Sequence, residues 1–305
     1  MSEHLTHIAV YEDCARLVLN TKMFCEAFRT CISNYYDSGM LASGARGNHL
    51  FAVPILESYQ GLWGSVKGNK EAEMQIAGAI GWITHRASDL QMKPTWRTKK
   101  AEDPSFPDSE MQVYHDAVTF REVYSGGKKT TRSPYVLFTP YTLEKGMASH
   151  PASEYINVAQ VEELVTFLYQ KEFVELHQFH KSEKDMDRWL DDFIEYHQEF
   201  TEDLRMYIEA FTHPYSAKME TYIHGINFYN QEDPLIRWLR GMQYERDVSA
   251  IDLMTALDQA DKQSQYAQAI RKGYIFLSSA SEFFQGNMEK DRLYDILDIH
   301  GNNRL

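Results

Sequence analysis

The chain has 305 residues, of which 43% are apolar and 13% aromatic, and this composition argues against a disordered protein. Its 44 acidic and 31 basic residues give a net charge of −13, which argues against general nucleic-acid binding through a basic face. Three cysteines without CxxC spacing argue against a disulfide framework or a cysteine–zinc site. No apolar run approaches the roughly 20 residues of a membrane span and no signal-peptide pattern opens the chain, so we predict a cytoplasmic protein.

Helical periodicity predominates along the chain. In residues 8–20, apolar side chains recur at the i, i+3, i+4 spacing of an amphipathic helix. Further helices are predicted, in chain order, at about 22–37, 48–66, 70–92, 157–180, 185–212, 232–245, 249–262, 265–284 and 289–298. No segment of the sequence shows the sustained period-two alternation of strands, so the predicted fold is all-α, a multi-helical globular domain.

The middle of the chain and its charge suggest how it is organised. Six of the nine prolines lie from Pro94 to Pro151, which predicts a long loop-rich middle segment with one short helix near 112–124.

Residues 1–155 hold 16 basic and 17 acidic residues, whereas residues 156–305 hold 15 basic and 27 acidic ones. We therefore predict a helical metal-binding region at 1–155 and an acidic helical region at 156–305, packed together as one domain. The acidic helices could offer a surface to a protein partner.

The clearest chemical motif is a histidine followed four residues later by an aspartate, His85 and Asp89, among small and apolar residues. On a helix, residues four apart project from one face, so the imidazole and the carboxylate would lie side by side. A buried imidazole and carboxylate need partners, and a divalent metal ion can bind both. The alternative left open is a hydrogen-bonded pair inside a core.

Other candidate ligands are spread over the first half of the chain. His150 and Glu154 repeat the i, i+4 spacing beside Pro151, which suits the first turn of a helix. The remaining candidates are single residues in or beside predicted helices and in the loop-rich middle: His7, Asp37, His49, His115 and Asp116. Each alone is typical of a surface or capping residue. Together they supply nitrogen and oxygen ligands for two or three divalent ions, of which zinc, iron and manganese suit this donor set.

The order of these residues resembles the pattern of the zinc-dependent phospholipase C and single-strand-specific zinc nuclease superfamily. That pattern runs from an N-terminal histidine through an aspartate, a lone histidine, an HxxxD helix and a further histidine to HxxxE. Over residues 4–155 the matching positions are His7, Asp37, His49, His85, Asp89, His115, His150 and Glu154. The family usually has a histidine six residues after the HxxxD aspartate. Thr95 stands there in this chain, and His115 is the candidate replacement.

The resemblance implies an all-α hydrolase that cleaves phosphoesters at a cluster of two or three zinc ions. A divalent metal lowers the pKa of bound water towards about 7 and so supplies a nucleophile at neutral pH. Asp37 or Asp116 would act as general base near the cluster. A small soluble phosphoester is the expected substrate, because the sequence has no evident lipid-binding segment.

Two alternatives remain open from the sequence. An HD-type metal phosphohydrolase needs a contiguous His-Asp pair, and His115-Asp116 is such a doublet; Glu154 would not bind metal in that case. A non-enzymatic helical interaction or scaffold protein would use its histidines structurally, so His49, His85 and His150 need not converge. The distances between candidate ligands distinguish these classes.

Overall fold

The computed structural model describes residues 4–44, 49–124, 205–211 and 214–298. Within these ranges every regular element is helical, which confirms the all-α class. In chain order the helices are α1 (His4–Asn20), α2 (Glu26–Gly44), α3 (His49–Tyr59), α4 (Trp63–Val66), α5 (Lys70–Glu102), α6 (Asp108–Val123), α7 (205–211), α8 (Ser216–Met219), α9 (Pro234–Gln243), α10 (Leu253–Gln259), α11 (Gln265–Phe284) and α12 (Lys290–Ile296). A π-helical turn (Glu220–His224) continues α8, and a 3₁₀ turn (Ala260–Lys262) follows α10. None of the described helices has the length and apolarity that crossing a bilayer requires.

The predicted end of the helix over 70–92 is wrong, because this helix, α5, continues through Pro94 to Glu102. A proline inside a helix leaves the carbonyl four residues earlier without its usual donor, here that of Leu90. Lys272 on α11 places its Nζ 3.5 Å from this carbonyl oxygen. A donor from a neighbouring helix therefore offsets part of the cost of Pro94, which no local pattern around the proline could reveal.

Other boundaries also differ from the sequence prediction. The single helix predicted over 48–66 is two helices, α3 and α4, and between them Gly61 has a φ of 71°, which favours glycine. The helix predicted over 22–37 begins at Glu26 and extends to Gly44. The predicted short helix near 112–124 is α6, which begins at Asp108.

Part of the predicted organisation lies outside the described residues. That is the case for the helix at 157–180, for most of the helix at 185–212, and for the proposed boundary near residue 155. The chain divides into two compact units whose limits differ from the predicted regions 1–155 and 156–305. One unit comprises Met1–His4 and Pro107–Gly225, and the other comprises Leu5–Phe106 and Ile226–Leu305.

In the unit of Leu5–Phe106 and Ile226–Leu305, α5 is the central helix and packs against α2, α3 and α11. Its middle section, which is buried all round, is rich in small residues, including Ala77, Gly78, Ala79 and Gly81. Small side chains let neighbouring helix axes approach closely. The asparagine that precedes α5, Asn69, accepts a hydrogen bond from the amide of Ala72 at 3.1 Å and so caps the helix start.

A fully buried aspartate links α1 to two later helices of the same unit. Asp13 accepts hydrogen bonds from Arg16 at 2.6 Å and from the hydroxyl of Tyr266 on α11 at 2.9 Å, and it also contacts Arg240 on α9. Because the carboxylate contacts two guanidinium groups, these contacts offset the free-energy cost of burying its charge. The network fixes the position of α1, which carries His7 six residues before Asp13.

In the described part of the unit of Met1–His4 and Pro107–Gly225, α6, α7 and α8 meet through a polar cluster. Lys218 donates to Glu110 and to Glu209, each at 2.6 Å. Tyr114 donates to Glu209 and Tyr222 donates to Glu110, each at 2.8 Å. One ammonium group is therefore shared by two carboxylates drawn from two helices.

Candidate metal centre

Three of the predicted ligands, His7, His85 and Asp89, converge in space. They come from α1 and α5, and each offers one ligand atom within 4.8 Å of the others. His7 Nε2 lies 3.2 Å from Asp89 Oδ1, and His85 Nε2 lies 3.4 Å from Asp89 Oδ2. The two imidazole rings are 4.3 Å apart between centroids. This is the one such group of potential metal ligands among the residues that the structure describes.

The side chains are sheltered but retain access to solvent. Their exposed fractions are 5% for His7, 13% for His85 and 14% for Asp89. The i, i+4 spacing on α5 brings His85 and Asp89 to one face of that helix, as the sequence predicts. His7 reaches the pair from a helix more than 60 residues earlier in the chain, so only the tertiary fold could bring it there.

The ring of His85 is oriented by the end of α2. Its Nδ1 lies 2.8 Å from the backbone oxygen of Ser43, which belongs to the last turn of α2 and therefore lacks an intrahelical donor. A carbonyl oxygen only accepts, so Nδ1 carries a proton. In a neutral ring the Nε2 atom is then a lone-pair acceptor, and it faces Asp89 Oδ2.

The charge state of the site follows from burial and from the contacts among its three side chains. Burial lowers the pKa of His85, and the neighbouring ring of His7 lowers it further, although Asp89 and Ser43 oppose the shift. Burial alone would raise the pKa of Asp89, but contacts with His7 and His85 outweigh it and hold that pKa well below its usual range. When His85 is neutral, its Nε2 and the charged Asp89 oxygen 3.4 Å away are two acceptors, and a cation between them is favourable.

A lysine also belongs to the site. Lys93, one turn after Asp89 on α5, donates to Asp89 Oδ2, and its side chain is 33% exposed. The ammonium group supplies a positive charge to the carboxylate in the absence of any ion. The same geometry makes it a direct competitor for one oxygen of a metal ligand.

The other predicted site residues are placed differently or lie outside the described residues. Asp37 is exposed on α2 and is not part of the group formed by His7, His85 and Asp89. His49 is the first residue of α3, and its side chain is outside the described part. His150 and Glu154 lie outside the described residues altogether, so their role as ligands stays a prediction.

His115 and Asp116 are buried on α6 in the unit of Met1–His4 and Pro107–Gly225. His115 Nε2 lies 3.2 Å from the carbonyl oxygen of Tyr222 in the π-helical turn. Asp116 accepts a hydrogen bond from the hydroxyl of Tyr207 at 3.0 Å. Protein groups therefore serve as hydrogen-bond partners for both of these buried polar side chains.

Sequence reasoning missed Ser43, because a backbone carbonyl has no residue signature and its contact with His85 depends on helix packing. Lys93 had a visible signal, since it lies four residues after Asp89 and its charge is opposite. No family model, curated protein or solved structure matches the chain in the comparisons with known proteins.

Proposed function

We propose that this protein is a metal-dependent phosphoesterase that binds a divalent ion, zinc in the first instance, at His7, His85 and Asp89. The observation that carries the proposal is the meeting of His7 with the His85–Asp89 pair, in which His85 presents Nε2 to a carboxylate oxygen. The order of candidate ligands, similar to that of zinc-dependent phospholipases C and zinc nucleases, supports a hydrolytic role. In that pattern His49, His150 and Glu154 would hold further ions.

The donor set fits the chemistry of zinc. Zinc in proteins takes imidazole nitrogen and carboxylate oxygen at about 2.0–2.2 Å, and ligand atoms of such a tetrahedral site lie about 3.3 Å apart. His7 Nε2 lies 3.2 Å from one carboxylate oxygen of Asp89 and His85 Nε2 lies 3.4 Å from the other, and one ligand atom from each of the three residues lies within 4.8 Å of the other two. Two imidazoles and one carboxylate also leave coordination positions for water and substrate, as in catalytic sites.

Two other groups of the chain, the Ser43 carbonyl and Lys93, would have supporting roles at the site. The Ser43 carbonyl holds the proton of His85 on Nδ1, which keeps Nε2 available as a ligand. Lys93 is placed to exchange its contact with Asp89 for a phosphoryl oxygen. When bound, a divalent ion would lower the pKa of a coordinated water and polarise the phosphoester.

The test is metal content followed by activity. Two preparations are compared: protein purified without chelator, and protein stripped of metal and reloaded with zinc. Each is analysed for bound metal and then assayed on chromogenic phosphomonoesters, phosphodiesters and phosphocholine esters. The proposal expects bound zinc and zinc-dependent hydrolysis of at least one ester class. Absence of metal uptake would refute the metal site, whereas metal uptake without hydrolysis would refute the enzymatic part alone.

A second candidate is a structural role for the same cluster in a helical interaction protein. The contact between Lys93 and Asp89 favours it, because the ammonium already balances the carboxylate charge without metal. Under this alternative, reloading with zinc changes neither the melting temperature nor the metal content. The HD-type alternative instead requires metal at His115 and Asp116, and variants at those residues would test it.

A further inference from the structure

Three helices of the metal-bearing unit meet at a junction formed by Tyr11 on α1, Gly39 on α2 and Gly81 on α5. A methyl group added to Gly81 would overlap the backbone oxygen of Gly39. One added to Gly39 would overlap the hydroxyl of Tyr11. The same hydroxyl donates a hydrogen bond of 3.1 Å to the carbonyl of Tyr36 on α2. Gly81 thus permits a close approach to the backbone of α2, and Gly39 leaves room for the side chain of Tyr11.

Each junction residue lies one helical turn from a residue of the candidate metal centre. Tyr11 follows His7 by four residues on α1, Gly81 precedes His85 by four on α5, and Gly39 precedes Ser43 by four on α2. Residues four apart share a helix face, so the junction and the site lie on the same sides of the three helices. The distance between the helices at the junction therefore sets the distances one turn away.

We propose that Tyr11, Gly39 and Gly81 are positioning residues of the metal site and set its affinity without touching the ion. The inference rests on the proposed function, because it concerns the ion at His7, His85 and Asp89. Widening the approach between α2 and α5 moves Ser43 away from His85, and releasing Tyr11 from α2 frees α1 to carry His7 away from Asp89. The distances from the two histidine Nε2 atoms to the Asp89 oxygens are 3.2 Å and 3.4 Å, so a small movement of either kind breaks these contacts.

The test uses Co²⁺ as a spectroscopic probe of the full-length chain, since its visible absorption reports affinity and coordination geometry together. Gly81→Ala is compared with Gly78→Ala, a matched control on the same helix where an added methyl group meets no atom within 4 Å. Tyr11→Phe removes only the hydroxyl group and is the milder variant in case Gly81→Ala does not fold. Leu239→Ala, a buried residue of α9 outside the junction, controls for a general loss of stability.

We expect Gly81→Ala to weaken Co²⁺ binding about tenfold or more and to alter the absorption bands, as loss of support around a ligand typically does. Tyr11→Phe should weaken binding in the same direction, whereas Gly78→Ala and Leu239→Ala should match the wild type. Equal binding by the wild type, Gly81→Ala and Tyr11→Phe would overturn the positioning role and leave the metal site standing. A wild-type chain that takes up no Co²⁺ would overturn the proposed function and this inference with it.

Discussion

His7 Nε2 lies 3.2 Å from Asp89 Oδ1, although 82 residues separate the two positions in the chain. The contact joins the first helix to the central helix of its unit, so the two histidines and the aspartate form one site only in the folded protein. A metal at this site would bind the folded state alone. Metal binding and folding stability should therefore be linked.

Replacement of His85 by asparagine should abolish metal binding while preserving the helical fold. The asparagine amide can still donate to the Ser43 carbonyl, but it removes the ligand nitrogen that faces Asp89. We expect bound zinc to fall below the wild-type content by at least tenfold. Elemental analysis measures the loss, and far-ultraviolet circular dichroism should show unchanged helix content.

The matched control for this variant is His224→Asn, because His224 is exposed in the π-helical turn of the other unit. It should bind zinc as the wild type does. Zinc retained by His85→Asn, or lost equally by His224→Asn, would contradict a site built on His85.

The stability of the metal-free protein should depend on the charge state of His85. Its pKa is lowered by burial in the folded state, whereas an unfolded histidine titrates near about 6.5. The unfolded chain then binds the proton first as pH falls, so the contribution of His85 is full above about pH 6.5 and is lost on acidification below it. The free energy of unfolding, measured by urea denaturation at pH 7 and pH 5, should fall less for His85→Asn than for the wild type. A larger or equal fall in the variant would show that His85 is not buried in its neutral form.

Removing the lysine that contacts Asp89 should strengthen metal binding. Lys93 donates to the carboxylate that an ion would need, and a partly exposed ion pair of this kind is worth up to about 1 kcal/mol. We expect Lys93→Met to tighten zinc binding about three- to fivefold in a competition titration with a chromophoric chelator. Lys70→Met, at the exposed start of the same helix, should leave the affinity unchanged. Weaker binding by Lys93→Met would mean that the lysine supports the site rather than competes for it.

The sequence predicts the helical class and the His85–Asp89 pair because both depend on local spacing. Helical periodicity is visible in each segment separately, and the i, i+4 relation needs only one helix. Local sequence patterns do not predict that α5 continues through Pro94, where Lys272 from α11 contacts the carbonyl that lacks its helical donor. The position of His7 beside Asp89 depends on how α1, α2 and α5 pack, with Gly81 against Gly39 and Gly39 against Tyr11, and local spacing does not record that packing.

The cluster around Lys218 should stabilise its own unit independently of the metal centre. Without the ammonium, Glu110 and Glu209 would face each other without a shared cation, although partial exposure screens the effect. We expect Lys218→Met to lower the free energy of unfolding by about 1 kcal/mol. The double variant Lys218→Met with Glu110→Gln should recover part of this loss, because one negative charge is removed as well. Urea denaturation measures both, and additive losses in the two substitutions would contradict a coupled cluster.

The three cysteines should be free but unreactive in the folded protein. Cys14, Cys25 and Cys31 are buried and free, and burial raises the pKa of each thiol. An exposed thiol is half ionised near about pH 8.5, and the thiolate is the reactive form. At that pH we expect Ellman's reagent to label the native protein slowly and to count three thiols once guanidinium unfolds it. Since the unfolded thiols ionise first, the free energy of unfolding should also fall as pH rises above about 8.5. Glutathione labelled in parallel controls for reagent activity, and rapid labelling of any thiol in the native protein would place that cysteine outside the core.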